Sequence, residues 1–556
     1  MRDSDARLFT VAPSQAGDRL DRYLADRMAE FGLSRERIKR GILEGRVRVN
    51  GLAAEAPRRI LREADLVEIR LAAPATRLVP EAGELDILQQ DSFLVLLNKP
   101  AGLAVHPGAG LSTGTLAHRL AAHFPELAAL EGFRPGIVHR LDKGTSGLLL
   151  AALTEKSRLA LTALFAGRKV CKEYLALARG VPSPAQGTID APLGRHPRAR
   201  GKRAVLSEAG GGKPARSAWR TLYADPEGRF SLLAVRIFTG RTHQIRVHLA
   251  HLGHPVLGDP LYAPPDKADP APRQMLHAWK LALDHPCTGR RICAVCPPPE
   301  DFPETARALG TRLLRVVITG SPGCGKSTLS RLLAGTGAPL FSADAEIAAL
   351  YAQGGAGWLF LRARYGDRFV PDQDSPVDKQ TLGQAMRESP ALRREMESLL
   401  HPLARAAMED FWRAQEALNV PLALAEVPLY LEAGFSRGDT PSRTASDEAL
   451  AALLNASPHR PLLLGVSCPF AVRAERLHSG RGWSAEVINS MESWQWPEER
   501  KLAACDLVAD NSGGKAGLEA EAKRLAVRLA ALRDLRGALL AETIRERCRE
   551  PALRKS

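Results

Sequence analysis

One stretch restricts the possible folds more than any other: Val316-Val317-Ile318-Thr319-Gly320-Ser321-Pro322-Gly323-Cys324-Gly325-Lys326-Ser327-Thr328. A β-branched apolar run feeds a glycine-rich loop, and Leu329, Leu332 and Leu333 follow at helical spacing. The loop fits G-x-x-x-x-G-K-S in the strand–loop–helix setting that a phosphate loop requires. Gly320, Gly323 and Gly325 let the backbone curl until successive N–H groups point at phosphate oxygens. The following helix turns its positive end to the same phosphates. Lys326 can reach the β- and γ-phosphates, and the Ser327 hydroxyl can enter a Mg²⁺ shell. The expected ATP site thus runs through Gly320, Ser321, Pro322, Gly323, Cys324, Gly325, Lys326, Ser327 and Thr328. The loop also divides the chain, with a nucleotide-using α/β module after it and something different before it.

At 556 residues the chain is too long for one core. A net charge of +15 suggests a polyanionic partner such as nucleic acid. The start, Met1-Arg2-Asp3-Ser4-Asp5, has no apolar signal region, and no run of about 18 apolar residues occurs, so a cytoplasmic protein without membrane contact is expected. The eight cysteines are therefore not expected to form disulfides. Cys293 and Cys296 form one C-x-x-C without a second pair, too few ligands for zinc.

Residues 1–78 read as a small basic module. Leu20, Tyr23, Leu24 and Met28 have helical spacing, and Ser34 is a candidate N-cap for a second helix from Arg35 to Leu43. Short alternating strands follow, with Asn50-Gly51 as a hairpin signal and Asp65–Ile69 as a later strand. Arg35, Lys39, Arg46 and Arg48 can form a cationic face for phosphates or simply a solvated one. The order R-L-D-x-x-L, L-S-R, G-x-V-x-V-N-G resembles the RNA-binding module of the fourth ribosomal small-subunit protein. That resemblance implies binding of structured RNA by these four cations and the turn at Asn50.

Residues 79–305 are organised around Asp142. Phe93–Pro100 is an apolar strand closed by proline, and Gly136-Ile137-Val138-His139-Arg140-Leu141-Asp142-Lys143-Gly144 leads into a second apolar run, Leu148-Leu149-Leu150. Gly240-Arg241-Thr242-His243-Gln244-Ile245-Arg246 gathers several donors. Buried carboxylates seldom stand alone, so Asp142 is expected to meet one of these arginines. Chemistry alone leaves Asp142 as nucleophile, general base or structural ion-pair partner. Residues 205–216 read as a mobile glycine-rich loop, and the proline run from Pro297 to Pro303 as the start of a linker.

Asn98-Lys99-Pro100-Ala101-Gly102, His139-Arg140-Leu141-Asp142, Lys172-Glu173-Tyr174, the Gly240–Arg246 run and Gly253-His254-Pro255-Val256-Leu257-Gly258-Asp259 occur in that order. Together they resemble the RluA-type pseudouridine synthases of large-subunit ribosomal RNA. The resemblance implies an α+β domain with a central mixed, largely antiparallel sheet and isomerisation of a uridine in ribosomal RNA. It further implies that Arg140 fills the space left by the flipped base and that Asp142 acts on the ribose as nucleophile or base. Arg241 would pair with Asp142, Tyr174 would stack near the base, and no cofactor would be needed.

Residues 312–556 carry the phosphate loop. Pro339–Asp344 is a short strand ending in a carboxylate, and further apolar runs at Pro421–Leu429 and Pro461–Ser467 complete a parallel-sheet pattern. Asp344 at the strand's C-terminal edge can accept a proton from an attacking hydroxyl or cap the next helix. Glu426 can hold a Mg²⁺ water or face solvent. The loop, Ser342-Ala343-Asp344, His401-Pro402, Gln495, Lys501 and Asn511-Ser512-Gly513 resemble dephospho-coenzyme A kinase. That resemblance implies ATP and Mg²⁺ as requirements, dephospho-coenzyme A as acceptor and Asp344 as base. Ser342 stands where that family has its first Asp, Leu429-Tyr430-Leu431-Glu432 replaces L-L-F-E, and Arg481 is displaced by one position in the lid pattern begun by Arg476. Arg481 is still expected at the phosphates. Residues 535–549 read as a basic surface helix. The expectation is a bifunctional fusion. Its competitors are a chain with one half reduced to a binding module, or a P-loop half that phosphorylates RNA ends.

Overall fold

The computed structural model describes the chain apart from residues 1–5, 29–34, 71–77, 109–110, 130–135, 200, 267–268, 312, 435–445, 458 and 550–556. It separates into two compact units, residues 1–171 with 280–296, and residues 172–279 with 297–556. Among the described residues no helix is long and apolar enough to cross a membrane.

The first unit begins with β1 (Arg7–Thr10), α1 (Leu20–Arg27), α2 (Arg35–Leu43), β2 (Val47–Val49), β3 (Leu52–Ala53) and β4 (Leu66–Ile69). The strands form one sheet in the order β1-β4-β2-β3. The helical spacing read from the sequence becomes a core in which Leu20, Tyr23, Leu24 and Met28 pack with Ile38, Val47, Val49 and Val67. Asn50 and Gly51 both have positive φ, 54° and 80°, as a tight hairpin between right-twisted strands demands. The Asn50 amide also donates to Asp65 at 2.8 Å, locking that turn to the start of β4. Ser34 lies outside the described residues.

The chain continues through β5 (Asp86–Gln90), β6 (Leu94–Lys99), α3 (Leu116–His123), α4 (Pro125–Ala129), β7 (Ser146–Ala152), α5 (Glu155–Ala166), β8 (Cys171–Arg179) and β9 (Gln186–Asp190). Then follow β10 (Leu193–Arg195), β11 (Arg203–Val205), β12 (Arg216–Ala224), β13 (Phe230–Ile237), α6 (Gln244–His251), β14 (Leu276–Asp284) and β15 (Arg291–Val295). Within the first unit β6 pairs antiparallel with β5 and β7, and residues 280–284 pair antiparallel with β15. Within the second, β9, β12, β13 and β8 form an antiparallel succession. All seven residues of β7 are buried, matching the apolar run that follows its first residue, Ser146.

The rest of the second unit is a five-stranded parallel sheet in the order β17-β18-β16-β19-β20. Its elements are α7 (Asp301–Gly310), β16 (Leu314–Thr319), α8 (Lys326–Ala334), β17 (Leu340–Ser342), α9 (Ala343–Leu350), α10 (Ala356–Tyr365), α11 (Lys379–Glu388) and α12 (Pro390–Ala417). They continue with β18 (Leu422–Glu426), α13 (Asp447–Ala456), β19 (Leu462–Ser467), α14 (Phe470–Arg481), α15 (Ala485–Ser493), α16 (Glu498–Ala503), β20 (Leu507–Asp510) and α17 (Gly514–Cys548). The three strands expected from sequence are β17, β18 and β19.

Two expectations need correction. The proline run at 297–303 leads directly into a helix, α7, which contains Pro303 and whose Phe302, Thr305, Ala306 and Leu309 are buried, rather than into an extended linker. Residues 535–549 are helical but not a surface helix, because Arg536, Gly537, Leu540, Ala541, Ile544 and Cys548 of α17 are buried. The two helices cross with little space between them. A Cβ on Gly310 would meet the Cα of Gly537 at 3.0 Å. The Cys548 carbonyl accepts from Trp279 Nε1 at 3.0 Å, and Arg545 pairs with Glu300 at 2.8 Å. Arg536 exchanges hydrogen bonds with Asn455, while burial and the charge of Arg229 hold its guanidinium down at about 10. The last helix of the nucleotide module is therefore also part of the packing around Trp279.

Candidate active sites

In the first unit, the segment carrying Arg140 and Asp142 lies between Gly136 and the start of β7. Asp142 is half-buried and Arg140 exposed. The backbone turns tightly after the carboxylate, with Thr145 N donating to the Asp142 carbonyl at 3.0 Å. His139 Nε2 accepts from Leu150 N at 2.9 Å, which fixes the segment against β7. A fully buried lysine braces it from the other side. Lys99 Nζ donates to the carbonyls of Pro100 (2.7 Å), Leu103 (2.8 Å) and Lys143 (3.3 Å), and Gly102 N donates to Lys143 O at 2.8 Å. A buried ammonium needs such satisfaction, because desolvating it unpaired is costly. The Asn98–Gly102 and His139–Gly144 motifs are thus held as one piece.

In the second unit, Tyr174 is buried on β8 at 7% exposure. Arg241 is exposed at the entry to α6, where Gln244 Oε1 accepts from its backbone N–H at 3.0 Å and its Nε donates to Pro214 O at 3.1 Å. Gln244 itself accepts from Thr239 and donates to Arg216 O and Ser217, so the loop before α6 is rigidly placed. Arg246 forms a buried two-pronged pair with Asp259, 2.7 Å on each arm. Of the two arginines in the Gly240–Arg246 run, Arg246 has therefore been taken into the fold, and Arg241 is the one with a solvent-facing side chain.

The nucleotide module gathers its candidates around one cleft of about 930 Å³. Lys326 Nζ lies across the loop on the Ser321 carbonyl at 2.9 Å. Gly325, at φ +97°, meets Asn511 so closely that no Cβ fits, and Asn511 Nδ2 donates to Cys324 O at 2.7 Å. In-register parallel pairing sets Glu426 beside both Ile318 and Ser342. Glu426 is 6% exposed and accepts from Ser327 Oγ at 2.5 Å. Ser342, not Asp344, caps α9, accepting from Ala345 N at 3.3 Å. Asp344 lines the cleft together with Lys326, Ser327 and Glu426. Arg481 lines it too, its guanidinium 5.5 Å from the Trp483 ring. Lys501 is fully buried behind this edge, bonded to Glu432 (2.9 Å), Gln495 (2.7 Å) and Pro428 O (3.3 Å), and burial pushes its ammonium below the ordinary lysine value.

Residues 93–251 match the family model of RNA pseudouridylate synthases, and residues 314–439 match that of dephospho-CoA kinase. An RNA pseudouridine synthase of Synechocystis sp. is 41% identical over 299 residues, covering 52% of this chain and 89% of its own. One of Chloroflexus aurantiacus is 42% identical over 311 residues (56% and 96%). The ribosomal large subunit pseudouridine synthase D of Escherichia coli is 39% identical over 308 residues (53% and 91%). The chain belongs to the RNA pseudouridine synthases. It is a fusion, because a dephospho-CoA kinase domain follows the synthase on the same polypeptide.

Of the cations expected on the synthase's N-terminal module, Arg46 and Arg48 are exposed, Arg46 beside Glu44 at 3.1 Å. Lys39 leans on the buried Asp21 at 3.8 Å, so part of its charge serves the fold. The side chain of Arg35 lies outside the described residues. Sequence reasoning gave no role to Lys99, Lys501 or Arg473 and left Glu426 undecided. For Glu426 the signal was its place at the end of an apolar strand in a phosphate-loop fold, where carboxylates gather.

Proposed function

We propose that this synthase converts a uridine of ribosomal RNA to pseudouridine at Asp142, and that its kinase domain transfers the γ-phosphoryl group of ATP to the 3′-hydroxyl of dephospho-CoA. The carrying observation for the kinase is the convergence of Lys326, Ser327, Glu426 and Asp344 on one cleft wall. For the synthase it is the bracing of the Asp142 segment by Lys99 and His139.

In the synthase reaction the uridine leaves the stack at a cost of about a few kcal/mol. Arg140 is exposed, as a residue that fills the vacated space must be. The C1′–N1 bond breaks, the base rotates, C5 joins C1′, and the C5 proton is lost while N1 gains one. Asp142 acts on the ribose as nucleophile or as base, and Arg241 and Tyr174 keep the roles that the family resemblance implies. The cationic N-terminal face, Arg46 and Arg48 included, holds the RNA backbone.

In the kinase reaction Asp344 takes the proton of the acceptor hydroxyl as its oxygen attacks the γ-phosphorus and ADP leaves. Lys326, the loop N–H groups and Arg481 stabilise the phosphate oxygens. Ser327 and Glu426 offer the hydroxyl and carboxylate oxygens that Mg²⁺ prefers, and the bound ion would neutralise phosphate charge. Away from the loop the cleft runs along α12 past Arg393, Met396, Leu400 and His401 to Trp494, a wall suited to an acceptor with both phosphate and apolar parts. Neither an RNA-end kinase nor a dead half is favoured by the family matches.

The test is direct. The purified chain with ATP, Mg²⁺ and dephospho-CoA should yield coenzyme A, and RNA with free ends should not be labelled. Ribosomal RNA from cells lacking the chain should lose a pseudouridine that the wild-type gene restores and an Asp142→Asn gene does not. Absence of coenzyme A, or restoration by Asp142→Asn, refutes the corresponding half.

A further inference from the structure

The densest polar knot beside the phosphate loop is not formed by any residue that the motifs single out. Arg473, in the first turn of α14, is 2% exposed. Its Nε donates to Cys468 O at the end of β19 (3.0 Å), and its Nη1 donates to Pro322 O in the phosphate loop (3.3 Å). Nη1 also meets Glu492 of α15, and Nη2 donates to Glu498 of α16 at 3.1 Å. Glu498 in turn accepts from Cys468 N at 3.2 Å. One planar fork thus joins a strand end, the loop and three helices, a task for which lysine has the wrong geometry. The loop also rests on α14 itself, since a Cβ on Gly323 would lie 3.0 Å from Arg473 O and 2.9 Å from Leu477 Cγ.

These contacts lead to the cleft. Pro322 follows Ser321, whose carbonyl holds Lys326 Nζ. Helix α14 carries Arg476 and Arg481 on the cleft wall, and Met491 and Trp494 flank Glu492 there. Resting on the kinase reading of this cleft, we propose that Arg473 is a positioning residue that sets the phosphate loop and the lid helices as a single unit for ATP. It touches no reacting atom. It fixes where Lys326 and the two lid arginines stand before the nucleotide arrives, so that binding need not order them.

The experiment uses the full chain carrying Arg473→Lys, Glu492→Gln or both. A non-hydrolysable ATP analogue is titrated with Mg²⁺ and no acceptor, and kcat and both KM values follow. Arg473→Lys should weaken analogue binding and raise the ATP KM by about tenfold or more, the scale of a lost charged hydrogen bond. It should lower kcat and raise the dephospho-CoA KM clearly less than the ATP KM, since most of the acceptor wall belongs to α12, which Arg473 does not touch. Glu492→Gln, at a partly exposed site that tolerates the change, should move the same quantities less. The double variant should fall short of the product of the two effects, because both act through one contact. Wild-type ATP affinity and kcat in either folded variant overturns the proposal, as does an equal rise in both KM values, the mark of general loosening. A wild-type chain that binds the analogue but leaves dephospho-CoA unphosphorylated overturns the kinase reading alone, and the binding titration still judges Arg473.

Discussion

The crossing of α7 and α17 supports a comparison within one helix. Gly517 and Gly537 both lie inside α17. A Cβ at Gly517 would meet nothing within 4 Å, whereas one at Gly537 would meet Thr311 Cγ2 at 2.6 Å and the Arg307 carbonyl at 2.8 Å. Both gain helix propensity on mutation to alanine, about 0.8–1 kcal/mol. At Gly517 that gain stands alone, so Gly517→Ala should stabilise the unit by up to about 1 kcal/mol. At Gly537 the added methyl abuts a backbone carbonyl that cannot swing aside, so α7 and α17 must part. Overpacking of this kind costs about 1–3 kcal/mol and should outweigh the propensity gain. The assay is hydrogen exchange of the α7 amides together with thermal unfolding, Gly517→Ala serving as the internal reference. Gly537→Ala should speed exchange in residues 301–310 and lower the melting temperature by a few degrees. Equal stabilisation by both substitutions would show that the crossing is loose and that α17 is not tied to α7.

Two further outcomes follow from single contacts. Glu426→Gln removes the charge facing Ser327 and should lower kinase kcat by about 10- to 100-fold while pseudouridine formation is unchanged, measured on the same preparation. Asp65 is held below the ordinary carboxylate range first by the Arg62 backbone N–H, with Asn50 adding a second bond. Because its folded pKa is depressed, its stabilising contribution is whole above the ordinary carboxylate pKa and is lost as pH falls through its own lower value. Acid unfolding of the N-terminal module should therefore show a smaller pH dependence in Asp65→Asn, followed by circular dichroism of a chain ending after β4 or by exchange in the full chain.

What the sequence made legible was local. The phosphate loop, the Asn50-Gly51 hairpin and the apolar run of β7 each announce themselves within a dozen residues, because backbone geometry and burial act at that range. The cleft wall depends on register between strands far apart in the chain. Nothing near Glu426 says that Ser327 lies 2.5 Å away. The pairing of Arg246 with Asp259 is hidden for the same reason, and it narrows the choice between two equivalent-looking arginines. The two misreadings had another cause. The proline run at 297–303 suggested a linker, yet proline suits the first turn of a helix, where its missing N–H is not needed. Phe302, Thr305, Ala306 and Leu309 then repeat at helical spacing. In α17 the many arginines masked a stripe, Gly537, Leu540, Ala541, Ile544 and Cys548, that follows the same period and is buried. Arginine can line such a stripe when its head finds a partner, as Arg536 does in Asn455.

The central claim is that one polypeptide holds two chemically independent reaction centres. The most direct measurement assays both reactions in the full-length chain bearing Asp142→Asn or Lys326→Ala. Asp142→Asn should abolish pseudouridine while coenzyme A formation continues at the wild-type rate, and Lys326→Ala should do the reverse. Loss of both activities in either folded variant would contradict it.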